Sequence, residues 1–136
     1  MLLELCEAIQ SKYDTLSYGS GLLKDTAPLW FGVAKDGESY PFVSYYIIDG
    51  RISSFTTCSD SFDYLVQFSV FDKGKTPINA IKISDAIVKG FNSASLSGLE
   101  GDLVNLQPLG QSILEEENNN GHVGIVEFGV FIENQR

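Results

Sequence analysis

Strict alternation of apolar and polar positions is clearest over residues 64–71. There Tyr64, Val66, Phe68 and Val70 share one face, and Leu65, Gln67, Ser69 and Phe71 share the other. This predicts a strand with one buried face. It runs through Asp-Lys-Gly-Lys into a helical pattern opened by Thr76-Pro77, with Thr76 placed to cap and Pro77 at the first helical position, where its missing N–H costs nothing. Ala80, Ile83, Ile87 and Phe91 form the stripe expected to be buried, widened by Ile81 and Val88, while Asn79, Lys82 and Lys89 point outward. Asp85 and Lys89 form an acid-before-base pair one turn apart, and Gly90 is read as the stop.

Residues 2–12 place Leu2, Leu3, Leu5, Cys6 and Ile9 on one side of a short amphipathic helix. Residues 13–39 are weakly patterned, and Leu29 to Val33 read equally as a short strand or a packed loop. From 40 to 48 nearly every residue is aromatic or β-branched. Phe42, Ser44, Tyr46 and Ile48 take one face and Val43, Tyr45 and Ile47 the other, so both faces are largely apolar. Asp49-Gly50 is expected to turn the chain, with 51–61 as a polar connector. Strand candidates follow at 103–109, weakened by Pro108, at 111–115, and at 123–132, the last two separated by an acidic, Asn-rich loop or elongated hairpin tip. The expected fold is α+β, in the order α-β-β-α-β-β. It is a four-stranded, mainly antiparallel sheet with two helices packed on one face, in a single domain spanning 1–136.

Charge sharpens this picture. The chain carries 18 acidic and 9 basic residues, a net charge of −9, and has no Lys or Arg between Lys89 and Arg136. One region of the domain should be strongly negative, which argues against a surface that wraps nucleic acid and against sequence-specific binding to it. The two cysteines, Cys6 and Cys58, make no disulfide framework and read as free thiols of a reducing compartment. Neither a long apolar run nor a basic leader is present, so no membrane association is expected.

Candidate chemistry is thin. Gly74-Lys75-Thr76 has the position of a P-loop's end, but the earlier glycine of that motif is replaced by Ser69 within a strand, which leaves a turn and a cap. His122, the single histidine, would need a nucleophile such as Cys58 or Ser59 and an orienting acid such as Glu127. Glu115, Glu116 and Glu117 form a solvated tip better suited to a polar contact with another protein than to a cation, because hard-cation ligands come from spaced positions. Two distant cysteines and one histidine do not suit structural zinc. The residues support no catalytic, cofactor or metal site, and a non-catalytic role is expected.

Four strings carry a resemblance: Tyr40-Pro41-Phe42-Val43; Gln67-Phe68-Ser69-Val70-Phe71-Asp72; the helix from Thr76 to Phe91; and Val126-Glu127-Phe128-Gly129-Val130. Together they span most of the chain, which resembles the tail-completion, or tail-terminator, proteins of long-tailed bacteriophages and prophages. The Gly- and Ser-rich link after the second helix and the acidic tip depart from the usual pattern. The resemblance implies a virion protein, assembled in the host cytoplasm, that forms a ring, commonly hexameric, at the head-proximal end of the tail. Its partners would be copies of itself, the tail tube protein and a head-completion or connector protein. A neck or connector protein of the same particle, a cytoplasmic adaptor domain and a small enzyme are the competing readings. On the ring reading, Tyr45, Ile47, Phe71 and Phe131 are expected on a helix-free face that meets neighbouring subunits, and Tyr45→Arg is expected to weaken assembly without unfolding the monomer. Glu115, Glu116 and Glu117 are the expected contact with another particle component.

Overall fold

The computed structural model describes residues 1–32, 39–54, 59–92, 96, 99, 103–115 and 121–135. Its elements are α1 (Leu2–Tyr13), β1 (Ser17–Tyr18), β2 (Gly21–Leu22), α2 (Leu23–Thr26), β3 (Leu29–Phe31), β4 (Phe42–Ser54), β5 (Ser59–Asp72), α3 (Ile78–Phe91), β6 (Leu103–Glu115) and β7 (His122–Gln135). The fold is α+β, but the expected four strands and two helices are corrected. Among the described residues, three helices accompany a five-stranded sheet ordered β3-β4-β5-β7-β6, beside a separate two-stranded sheet. The main sheet is mixed because β3 runs parallel to β4, with Leu29 opposite Val43. Segments of two to four residues are too short to show a period. Pairing defines β3 instead: the Val43 N–H donates to Pro28 O and the Gly32 N–H to Tyr45 O, each at 2.9 Å.

The long ladders also exceed expectation. β4 does not turn at Asp49-Gly50; it passes through a bulge between Ile47 and Asp49 and pairs onward to Ser54 opposite Asp60. Residues 51–54 and 59–61 of the supposed polar connector are therefore paired strand. A bulge absorbs one extra residue and bends the strand without ending it. Gly50 is needed there for close approach, since a Cβ would stand 2.8 Å from the Tyr64 ring. The two strand candidates around Pro108 likewise merge into β6 across a second bulge. β6 lies at the sheet edge, where a missing N–H is tolerated.

Both longer helices bear on one sheet face. α1 contributes Leu5, Ala8, Ile9 and Tyr13, and α3 contributes Ala80, Ile83, Ile87 and Phe91, the expected α3 stripe. Ile81, Leu2 and Leu3 are exposed instead. Phe68 sits at the centre, with ring centroids of Tyr45, Phe91 and Phe128 at 5.8, 5.1 and 6.0 Å. Full burial of such a ring stabilises by about 1.5–3 kcal/mol. Pro77 occupies the N-cap of α3 with no side-chain cap bond, so Thr76 does not cap it. The helix continues through Gly90, whose missing Cβ leaves room for the Leu16 side chain.

Candidate assembly surface

Register assigns each paired strand residue to one of two faces. Val43, Tyr45 and Ile47 of β4 stand opposite Val70, Phe68 and Val66 of β5, and Phe68 and Val66 stand opposite Val126 and Phe128 of β7. This is the face that the helices cover. The other face carries Phe42 and Tyr46; Leu65, Gln67 and Phe71; Val123, Ile125, Glu127 and Phe131. No described element lies over it. Tyr46 is 44% exposed and Phe131 37%. Phe42 and Phe71 shield each other in a stack at 4.9 Å, Tyr40 packs on Phe42 at 5.2 Å, and the Lys73 ammonium lies 4.6 Å from the Tyr40 ring centroid. Leu114, opposite Val123 on β6, extends the apolar area and is 53% exposed.

The structure places Phe71 and Phe131 on this open face. It inverts the placement of Tyr45 and Ile47, expected there. Tyr45 is buried beneath α1, its hydroxyl donating to the Cys6 carbonyl at 3.2 Å, and burial pushes its phenol above the usual range. Ile47 is half-buried on the same side and lines a groove of about 540 Å³ with Met1, Leu2, Ile52 and the bulge residue Ile48. The physical reason is registry. Alternation alone gives the parity of residues 40–48, but both parities are apolar, and only pairing with the decisively apolar face of β5 selects Tyr45 for the core. The polar residues Gln67 and Ser69 on the other parity of β5 were the signal available in sequence.

Glu115 ends β6, exposed and opposite His122; Glu116, Glu117 and Cys58 lie outside the described residues. His122 has its Nδ1 3.2 Å from the Gly74 carbonyl and belongs to the helix-facing parity of β7, whereas Glu127 belongs to the open one. The hypothetical His122–Glu127 pair is therefore not brought together. Cys6 is a free thiol whose pKa burial pushes up. Among the described residues no three His, Cys, Asp or Glu side chains cluster as metal ligands, and no helix is long and apolar enough to cross a membrane.

No family model matches the chain, and no curated protein does. Solved structures do: a chain in the virion of a native gene transfer agent (GTA) particle aligns with a TM-score of 0.71, over 95% of this chain and 97% of that one, at 20% identity. At that identity the likeness is one of fold, and it runs almost end to end in both chains.

Proposed function

We propose that the chain is a structural protein of a phage or phage-like particle, acting as a tail terminator. Copies form a closed ring of about six subunits at the head-proximal end of the tail tube. The ring ends tube polymerisation and offers the surface to which the head, through its completion or connector protein, attaches. The observation that carries this reading is the end-to-end fold likeness to a chain of a GTA virion, a particle that resembles a phage. The strings around Tyr40, Gln67 and Val126 favour the terminator among virion proteins.

The uncovered sheet face supports the assembly role. Contiguous exposed apolar surface on a small domain marks an interaction site, and here Tyr46, Phe71 and Phe131 would meet neighbouring subunits, with Phe42 beside them. Glu115 and the acidic residues after it would contact another particle component. The test is to mix the purified chain with tube protein polymerising in vitro and to image the tubes by negative stain. Tubes of limited length, each bearing one ring at one end, support the reading. Unlimited tubes without rings overturn it, and rings that bind the head-side protein but ignore tubes assign the connector role instead.

A further inference from the structure

The outer part of β4 outruns the helical layer. α1 starts at Leu2, while β4 continues past its bulge to Ser54. Ile52 pairs with Phe62 on the helix-facing parity, yet no described element lies over it. At 73% it is the most exposed of the large apolar side chains described. Leu2 is exposed as well, and the bulge leaves Ile48 unpaired and half in water. Leu2, Ile48, Ile52 and Phe62 wall the groove of about 540 Å³, an apolar concavity where the helices stop. Its one carboxylate, Asp49, has no ion-pair partner among the described residues.

The open face is the other large apolar area. Its aromatic end, Tyr40 on Phe42 on Phe71, carries Lys73, which is exposed and has no ion-pair partner among the described residues either. Tyr46 and Phe42 stand six and ten residues from Ile52 along β4, about 20 and 30 Å at roughly 3.3 Å per residue, and on the opposite side of the sheet. A chain therefore cannot set its own open face in its own groove.

We propose that the groove at the outer end of β4 receives the open face of a second copy of this chain, around Tyr46 and the Phe42–Phe71 stack. Lys73 of the entering copy meets Asp49 of the receiving one. The inference rests on the ring reading and deepens it: a head-to-tail ring joins two different surfaces of each subunit, and the open face is one of them. Apolar and aromatic burial supplies the contact, and the charge pair sets its register.

The test uses two variants of the full chain, each changed at an exposed side chain: I52R charges the groove and Y46R the open face. Light scattering follows wild type, each variant and their equimolar mixture across one concentration series. Each variant alone is expected to self-associate about tenfold or more weakly than wild type. In the mixture the intact groove of Y46R meets the intact open face of I52R. The mass is then expected to reach two chains and no more, because the remaining groove and face of that pair are both blocked. A variant that merely misfolds would not be rescued. An I52R chain that assembles as wild type does, or a mixture that stays monomeric, overturns the groove contact; rings of wild type on tube ends would leave the ring reading standing. Variants that each dimerise alone show like surfaces meeting and overturn it as well. A wild type that neither self-associates nor caps tubes overturns the ring reading and the contact together.

Discussion

The two faces of the one sheet differ in what covers them, though the same strands supply both. On β5, Tyr64, Val66, Phe68 and Val70 are all buried, while Leu65, Gln67 and Phe71 on the other parity stay partly accessible. The covered face receives Leu5, Ile9, Ile83, Ile87 and Phe91 from the helices, and its stability is complete within one chain. The open face shields aromatics only with one another, as in the Phe42–Phe71 stack, and keeps Tyr46 and Phe131 partly in water. The lesson is that apolar character alone does not distinguish core from interface. Neighbouring elements do, so the same substitution has opposite consequences on adjacent residues of β4.

Tyr45→Arg gives the largest expected effect. A charge in place of a buried ring beneath α1 should destabilise by at least about 4 kcal/mol and unfold the monomer, the reverse of the outcome expected from sequence, read by chemical denaturation. Phe68→Ala comes next, at about 3–5 kcal/mol in the same measurement, because the ring fills the centre of the covered face. Across the sheet, Tyr46→Arg should shift monomer stability by no more than about 0.5 kcal/mol, yet abolish assembly seen by light scattering.

Alkaline pH separates the faces in another way. Tyr13 and Tyr45 are both on the covered side, and burial is the main cause raising their phenol pKa values above the ordinary value of about 10. The folded state thus favours the neutral phenols. That stability is fully present below about pH 10 and is lost as pH rises through the raised folded values. Tyr13→Phe removes the hydrogen bond to Ala27 O at 2.5 Å, costing about 1 kcal/mol at neutral pH, and should flatten the alkaline decline. The smallest effect belongs to Ser84→Ala. Its Oγ is buried without a hydrogen-bond partner among the described residues, so removing it should leave stability unchanged or raise it by up to about 1 kcal/mol in thermal unfolding.

The sequence was legible where periods are long and one-sided. The α3 stripe from Ala80 to Phe91 and the parity of residues 64–71 both read correctly, because each repeats over several turns or pleats with one decisively apolar side. Legibility failed for three physical reasons. β3 and α2 are too short for a period to repeat. Asp49-Gly50 and Pro108 carry turn-like residues, but the chain uses them in bulges, which differ from turns only in what pairs beyond them. Tyr45 was misplaced because both parities of β4 are apolar, and the choice depends on a partner strand. The open face was visible only as an excess of aromatic residues, and the groove at the outer end of β4 not at all, since Leu2, Ile48 and Ile52 converge through tertiary packing.

The central claim is that the uncovered sheet face is an assembly surface and the covered face is not. The most direct test is the light-scattering mass of wild type and Tyr46→Arg across one concentration series, in the presence of tube protein, with thermal unfolding of each monomer alongside. The account predicts a closed multi-subunit species for wild type, and monomer for Tyr46→Arg with an unchanged Tm. A Tyr46→Arg chain that assembles as wild type does would contradict it.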